Sequence, residues 1–198
     1  MKKPVSPLVD SFLNMLVAER GATANTVSAY LNDISHFKKY LIGNEIDSKI
    51  ECCSKESIAN YIKYLSKNGL NPRTATRRLS SLRQFFLFLQ SENHRSDNPT
   101  NNVDGPRQIK SLPKLLSEEE VEQLFEQANQ IVGPEGTRLV CLLEIIYAAG
   151  LRVSELISLP NTTLSQDQNI LLVRGKGGKE RLVPLTISAI DSINAYRE

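Results

Sequence analysis

The sequence has 198 residues, of which 40% are hydrophobic and 23% are charged. This composition supports a packed globular protein and excludes the disordered and fibrous classes. The apolar runs fall far short of the roughly 20 residues that span a bilayer, so we expect no membrane helix. Residues 1–3 are followed by no apolar signal stretch, which predicts a cytoplasmic location. The three cysteines fit neither a disulfide framework nor a metal-ligand spacing, so no metal site is expected.

The net charge of +2 is unevenly distributed. Residues 1–107 contain 15 Lys and Arg against 10 Asp and Glu, a balance of +5. Residues 108–198 contain 9 against 12, a balance of −3. A basic first half favours a polyanionic partner, but the excess is small, so the positions of the basic side chains have to decide.

Residues 1–90 are predicted to form four short amphipathic helices, which together make a compact bundle. Capping residues and prolines mark the helix starts, and glycines mark most of the ends. The predicted starts are Ser6-Pro7, the residues after Gly21, Ser54 and Asn71-Pro72, and the predicted ends are Gly43, Gly69 and about Gln90. Apolar residues at spacings of three and four predict the inward faces. For the first three helices these residues are Leu8, Phe12, Met15 and Leu16, then Tyr30, Ile34, Phe37 and Leu41, then Ile58, Ile62 and Leu65.

Residues 91–116 are rich in Asn, Asp, Gly and Pro, which predicts a linker between two domains. A capping box at Ser117–Glu120 then opens a second domain over residues 117–198. Its inward face is predicted at Val121, Leu124, Phe125 and Ala128. A helix from about Thr137 to Ala149 and a short helical turn from Arg152 to Leu156 are expected to follow.

Residues 170–185 show a different pattern, with two apolar stretches on either side of Gly175–Gly178. This pattern predicts a β-hairpin, and a last helix is expected from Thr186 to Tyr196. The glycines and lysines of the turn do not form a P-loop, because Lys179 is followed by Glu180 and not by Ser or Thr opening a helix. A lysine at the tip of a hairpin can reach a groove or a phosphate, and the alternative is an ordinary solvated turn.

The fourth helix has two different faces when it is drawn at 100° per residue. The apolar face contains Ala75, Leu79, Leu82, Phe86 and Leu89, and the opposite face contains Arg73, Arg77, Ser80 and Gln84. A basic and polar stripe of this kind suits a helix that packs on its bundle and binds DNA phosphates with its outer face. The alternative is a solvated surface without a partner.

Residues 147–156, Tyr-Ala-Ala-Gly-Leu-Arg-Val-Ser-Glu-Leu, resemble the first active-site arginine motif of tyrosine site-specific recombinases, the phage integrase family. Residues 175–185, Gly-Lys-Gly-Gly-Lys-Glu-Arg-Leu-Val-Pro-Leu, are similar to the lysine hairpin of that family and lie at the expected distance downstream. Further similarity extends over Asn25-Thr26 with Tyr30, Asp33, Phe37 and Leu41, over residues 77–83 with Phe85, and over Asn98-Pro99 and residues 112–117. The resemblance therefore covers essentially the whole chain and is strongest to the Xer type.

The resemblance implies a mainly α protein with a small β-hairpin. An N-terminal four-helix, SAM-like core-binding domain would be followed by the N-terminal part of a tyrosine recombinase catalytic domain. The intact enzyme would cleave and rejoin DNA through a 3′-phosphotyrosyl intermediate in chromosome dimer resolution. The implied partners are double-stranded DNA, a second Xer-type recombinase in a tetramer on two sites, and a DNA translocase.

The resemblance also assigns roles to single residues. Arg152 would bind the non-bridging oxygens of the scissile phosphate, Glu155 would support that arginine, and Lys176 would protonate the leaving 5′-oxygen. Neither a metal nor another cofactor is needed in this chemistry. The expected DNA contacts are Arg73, Arg77, Arg78, Arg83, Lys179 and Arg181.

The sequence lacks the His-x-x-Arg and tyrosine motifs of the family, so we expect it to be catalytically incomplete. Neither Tyr147 nor Tyr196 has the sequence context of the nucleophile. One alternative is a DNA-binding protein that derives from a recombinase and has no recombinase activity. Another is a helical protein-interaction module without DNA affinity, which leaves Arg152 and Lys176 unexplained.

Overall fold

The computed structural model describes residues 6–44, 46, 49–107, 115–160, 169–175 and 178–198. Contacts between Cα atoms divide the chain into two compact units, Met1–Ser111 and Leu112–Glu198. Within the described residues, the regular structure is helical except for one two-stranded antiparallel sheet. The predicted fold class, mainly α with a small β-hairpin, is therefore confirmed, whereas the exact limits of domains and linker stay predictions.

The described residues of the first unit form four α-helices, as its capping residues predict. They are α1 (Pro7–Ala18), α2 (Ala24–Gly43), α3 (Lys55–Lys67) and α4 (Pro72–Ser91), with a 3₁₀ turn at Ile50–Cys52 before α3. Three of the caps are made by side chains: Thr23 accepts a hydrogen bond from the Thr26 amide, Ser54 from Ser57 and Asn71 from Arg73. Ser6 stands at the N-cap of α1 without such a bond.

Aromatic rings from three helices form the core of the first unit. The Phe12 ring lies 5.5 Å from Phe85 and 5.6 Å from Phe88 and Tyr30, measured between centroids. In α1 the buried residues include Val9 and Leu13, whereas Leu8 and Met15, predicted to face inward, are only partly buried. The polar residues Asp10, Ser11 and Asn14 share one side of α1. Phe12 and Leu16 lie at the centre of the opposite, apolar side, and Leu8 and Met15 lie at its edge, so the bundle covers them only in part.

Residues after α4 pack against other elements of the first unit although their composition predicts a linker. The Arg95 guanidinium donates to the carbonyls of Glu51 (2.5 Å) and Cys53 (3.1 Å). Arg83 Nη2 donates to the carbonyl of Val103 at 2.7 Å, and Val103 is only 4% exposed. Arginine side chains thus join this segment to the rest of the first unit through backbone carbonyls on both sides, a form of order that leaves no periodic signal in the sequence.

In the part of the second unit that the structure describes, there are four further helices and the two strands of the hairpin. In chain order they are α5 (Glu118–Asn129), α6 (Pro134–Ala149), α7 (Val153–Ile157), β1 (Ile170–Arg174), β2 (Glu180–Pro184) and α8 (Ile187–Arg197). The strands are antiparallel, with Leu172 opposite Leu182. The predicted capping box is present, because the Glu120 amide donates to Ser117 Oγ at 3.2 Å and the Ser117 amide to Glu120 Oε2 at 2.8 Å.

The core of the second unit lies where β1 meets α6 and α8. Leu171 and Val173 of β1 are buried in one cluster with Ile145 of α6 and Ile193 of α8. Leu124 of α5, predicted to face inward, is 46% exposed. Helix α5 packs mainly against α6, so one neighbour covers only part of its apolar stripe. Among the described helices, none has both the length and the hydropathy needed to cross a membrane.

Among the described glycines, Gly136 is the one whose replacement we expect to be most damaging. A Cβ atom at this position would overlap the carbonyl group of Ile131, which is backbone and cannot rotate away. Gly136→Ala should therefore lower the stability of the second unit by about 3 kcal/mol or more. Gly43→Ala is the control, because a Cβ atom there meets nothing within 4 Å. Urea unfolding followed by circular dichroism measures both, and equal midpoints would contradict the expected clash.

The capping box gives a second stability prediction. Ser117→Ala removes the acceptor for the Glu120 amide and should cost about 1 kcal/mol in urea unfolding of the second unit. Ser6→Ala is the matched control, since Ser6 is also an N-cap but makes no side-chain cap bond. It should cost less than half as much. A larger loss at Ser6 than at Ser117 would show that the capping bond is not the stabilising contact.

Candidate nucleic-acid interface and phosphate site

The outer face of α4 carries the basic stripe that the sequence predicts. Arg73, Arg77 and Ser80 are exposed and Gln84 is half-buried. The residues on the opposite face, Ala75, Leu79, Leu82, Phe86 and Leu89, are all 0% exposed. At 1.5 Å per residue the stripe is about 16 Å long, enough to follow several backbone phosphates of one DNA strand.

Arg20 adds a basic side chain to the end of this stripe. It lies between α1 and α2, and its Nη1 donates to Gln84 Oε1 at 2.7 Å. The two residues are 64 positions apart in the chain, so no local pattern connects them. Arg20 was not among the predicted DNA contacts, because only a contact between distant elements marks it.

Asp33 of α2 lies beneath the stripe and is 2% exposed. Its Oδ2 accepts hydrogen bonds from Arg77 Nη1 at 2.5 Å and from Ser81 Oγ at 2.7 Å. Its Oδ1 lies 3.9 Å from Arg78 Nε. One buried carboxylate therefore contacts two arginines of α4. No sequence pattern predicted this contact, and Asp33 entered the predictions only as part of the family resemblance.

Tyr61 of α3 extends this polar cluster into the bundle. Its hydroxyl lies 2.9 Å from His36 Nδ1 and accepts from Arg78 Nη1 at 3.5 Å. Burial raises the pKa of Tyr61 to about 12, so the phenol stays protonated at neutral pH. Burial, and then the charges of Arg78 and Lys39, lower the pKa of His36. Tyr61 and His36 therefore add no negative charge to the cluster, and Asp33 alone balances one of the two positive charges of Arg77 and Arg78.

The four arginines of α4 differ in how available they are. The side chain of Arg77 is 51% exposed and that of Arg78 only 16%. Arg83 is exposed, but one of its nitrogens is bound to the Val103 carbonyl. Arg73 is exposed at the first turn of the helix. Arg78 and Arg83 were both predicted to contact DNA. In the structure, at least part of each guanidinium group is bound to other residues of the first unit.

In the second unit, Arg152 stands at the N-cap of α7 and contacts Glu155 twice. Its backbone amide donates to Glu155 Oε2 at 3.0 Å, and its Nη1 donates to Oε1 at 2.7 Å. The Arg152 side chain is 69% exposed, whereas Glu155 is 6% exposed. The three-residue spacing on one helical turn brings the two groups together, as the sequence indicated. The arginine is therefore held at the surface by a buried carboxylate.

Arg181 of β2 binds the same carboxylate from the hairpin. Its Nη2 donates to Glu155 Oε2 at 2.8 Å and its Nη1 to Oε1 at 3.2 Å. Hydrogen bonds from Arg181 and then from the Arg152 backbone lower the pKa of Glu155 to about 2. Glu155 is thus ionised at neutral pH, and the cluster of one carboxylate and two guanidiniums has a net charge of +1. Arg181, predicted as a DNA contact, binds Glu155 in this structure.

The hairpin turn begins close to this cluster. A Cβ atom at Gly175 would lie 3.3 Å from Arg181 Nη1 and 3.5 Å from Glu155 Oε1, so a glycine suits this close approach. Lys176, the predicted proton donor, lies outside the described residues. Lys179 is exposed. The part of the site that the structure describes is an exposed guanidinium with fixed charge, which is suited to bind a phosphate oxygen.

The two tyrosines considered as nucleophiles lie on helices of the second unit. Tyr147 of α6 is 66% exposed, and its ring meets Phe125 edge to face at 6.0 Å. Tyr196 of α8 is 51% exposed. Among the contacts that the structure describes, none joins the hydroxyl of Tyr147 or Tyr196 to a base or a cation. Neither tyrosine therefore gains a catalytic role from its position.

Family models match both units of the chain. Residues 9–93 match the model "Phage integrase, N-terminal SAM-like domain", and residues 114–198 match the model "Phage integrase family". The two matched segments contain the α4 stripe and the Arg152 cluster respectively.

Curated relatives match along nearly the whole chain. "Tyrosine recombinase XerD" of Caulobacter vibrioides is 41% identical over 187 residues, which cover 94% of this chain and 61% of the relative. The protein of the same name from Rhizobium meliloti is 41% identical over 196 residues, covering 96% of this chain and 62% of the relative. The chain thus spans about three fifths of the length of these relatives.

Solved structures show the same fold at lower identity. A lambda integrase tetramer bound to a Holliday junction superposes with a TM-score of 0.74 at 20% identity, covering 95% of this chain and 55% of that one. XerH recombinase bound to its difH substrate gives a TM-score of 0.65 at 21% identity, covering 93% and 55%. With two matching family models and relatives at 41% identity, the chain belongs to the phage integrase family of tyrosine recombinases and is XerD-like.

Proposed function

We propose that this chain binds duplex DNA and provides part of the active site of a site-specific tyrosine recombinase. The observation that carries the proposal is the exposed Arg152 guanidinium held by the buried carboxylate of Glu155. A surface that only occupies DNA needs no such preorganised group, so the alternative of a DNA-binding protein without recombinase activity is less well supported. Membership of the family supports the same reaction.

The proposed chemistry is transfer of a DNA phosphoryl group to a tyrosine hydroxyl. The bond from phosphorus to the 5′-oxygen breaks while a 3′-phosphotyrosyl bond forms, so the energy of the phosphodiester is kept for rejoining. Arg152 binds the non-bridging oxygens and offsets the charge that develops on them. Lys176 donates the proton that the leaving 5′-oxygen takes up. Glu155 fixes the position of Arg152, and Arg181 fixes that of Glu155.

The proposed partners are double-stranded DNA and a second recombinase of the Xer type, in a tetramer on two sites. The lambda integrase in the matched structure is a tetramer bound to a Holliday junction, and XerH is bound to difH. The relatives are named XerD, and with this resemblance we propose a role in resolving chromosome dimers in the cytoplasm, with a DNA translocase as a further partner. In the first unit, Arg73 and Arg77 are the proposed phosphate contacts, and in the hairpin Lys179 is another.

DNA binding by the stripe is tested through its dependence on salt. The variant with Arg73→Ala and Arg77→Ala should bind every duplex more weakly, because phosphate contacts carry no sequence information. Each lost contact should reduce the slope of log affinity against log salt by about 0.9. Fluorescence anisotropy with a labelled random duplex at several KCl concentrations measures the slope. An unchanged slope in the double variant would remove α4 from the interface.

The second test concerns the nucleophile. We expect this chain to form no covalent complex with a nicked suicide DNA substrate, because Arg152 and Lys176 supply charge and a proton but no attacking oxygen. Denaturing electrophoresis of the chain with end-labelled DNA detects such a complex. The Tyr147→Phe and Tyr196→Phe variants serve as controls. A shifted, protease-sensitive band that disappears in either variant would show that one of these tyrosines is the nucleophile.

A further inference from the structure

A carboxylate beneath an anion-binding surface needs an explanation. Asp33 lies under the α4 stripe and is 2% exposed, and its negative charge opposes the binding of DNA phosphates. Burying it also costs solvation, which the hydrogen bonds from Arg77 and Ser81 offset. An apolar residue would fill this position without repelling DNA. The acidic side chain must therefore supply something else to this face of the bundle.

The geometry of Arg77 indicates that Asp33 restrains the side chain of this arginine. Its Nη1 is bound to Asp33 Oδ2, yet the Arg77 side chain is 51% exposed. A guanidinium has five N–H donors in one rigid plane, so a bond at Nη1 fixes the direction of the others. An arginine that is already held loses less conformational freedom when it binds a second anion. Asp33 thus acts on the half of Arg77 that faces the protein and leaves the other half at the surface.

The local charge favours an anion as that second ligand. One carboxylate, Asp33, lies against two guanidiniums, those of Arg77 and Arg78. The Tyr61 hydroxyl and His36 complete the cluster without negative charge. The cluster keeps a net charge of +1, and Arg73 and Arg20 lie along the same stripe.

We propose that Asp33 is a positioning residue for DNA binding, which holds the Arg77 guanidinium so that its outward N–H groups bind one backbone phosphate. The inference rests on the proposed DNA-binding function of the α4 stripe and deepens it. It assigns the phosphate contact to a pair of residues on two helices, Asp33 of α2 and Arg77 of α4, and not to the exposed arginine alone.

The test is the salt slope of Asp33→Asn in the whole 198-residue chain, measured with a random duplex by anisotropy. Asparagine keeps the shape but loses the ion pair with Arg77. We expect weaker binding and a slope reduced by about 0.9, the same loss as in Arg77→Ala. Between 50 and 200 mM KCl, wild-type affinity would then fall about 3.5-fold more than that of the variant. The double variant should bind no more weakly than Arg77→Ala.

The sign of the effect separates positioning from simple electrostatics. Removing a negative charge near DNA should by itself strengthen binding, whereas loss of positioning weakens it. Asp97→Asn is the matched control, because Asp97 also pairs with an arginine of the first unit, Arg95, at 2.8 Å. That variant should bind as tightly as wild type or more tightly. Thermal melts, and binding measured well below the melting temperature, exclude a merely unfolded Asp33 variant.

Arg77→Lys keeps the test decisive if Asp33→Asn does not fold. Lysine retains the charge, but its single ammonium lacks the planar set of donors with which arginine can bind Asp33 and a phosphate at the same time. Affinity should fall at least halfway to that of Arg77→Ala, and full retention would overturn the inference. A normal slope in Asp33→Asn beside a reduced slope in Arg77→Ala would also overturn it and leave the DNA-binding function intact. Unchanged slopes in Arg77→Ala and in the variant with Arg73→Ala and Arg77→Ala would overturn DNA binding by the α4 stripe as well.

Discussion

The ion pair between a buried carboxylate and a solvent-exposed arginine is the interaction on which both candidate sites depend. In the first unit Asp33 is 2% exposed and its partner Arg77 is 51% exposed. In the second unit Glu155 is 6% exposed and Arg152 is 69% exposed. A long side chain in solvent samples many rotamers, and an anchor at one nitrogen restricts them before any ligand arrives. In each unit, therefore, one nitrogen of an arginine is bound to a buried carboxylate while the rest of its guanidinium is exposed to solvent.

Each carboxylate also has a second arginine, and these two arginines have different effects. Arg78 is 16% exposed and connects Asp33 with Tyr61 inside the bundle. Arg181 comes from β2 and binds both oxygens of Glu155, so the hairpin and α7 share one charged group. The carboxylate in each case joins separate elements while the cluster keeps a net positive charge. A site of this kind can bind a phosphate without losing the contacts that hold its own elements.

Much of the fold follows from local sequence patterns. Ser54, Asn71 and Ser117 mark helix starts that the structure confirms, and the hairpin lies where the apolar stretches around Gly175–Gly178 predict it. These signals are local, because a cap or a turn requires only residues a few positions apart. The inward faces were harder to predict. Val9 is buried while Leu8 is only partly buried, since Leu8 lies at the edge of the apolar side of α1 and only its neighbours decide how far that edge is covered.

By itself, the sequence determined the two faces of α4, the Arg152–Glu155 pair and the lysine hairpin motif, because each is written within one helix or one turn. Only the tertiary structure decided that Asp33 binds Arg77 from 44 positions away, that Arg20 joins Gln84, and that Arg181 binds Glu155. It also decided that Arg83 binds the Val103 carbonyl in a segment that reads as a linker. Such contacts form between separate elements once the core has brought them together. No periodicity in the chain encodes these contacts, and the sequence alone does not distinguish an arginine with such a partner from one without.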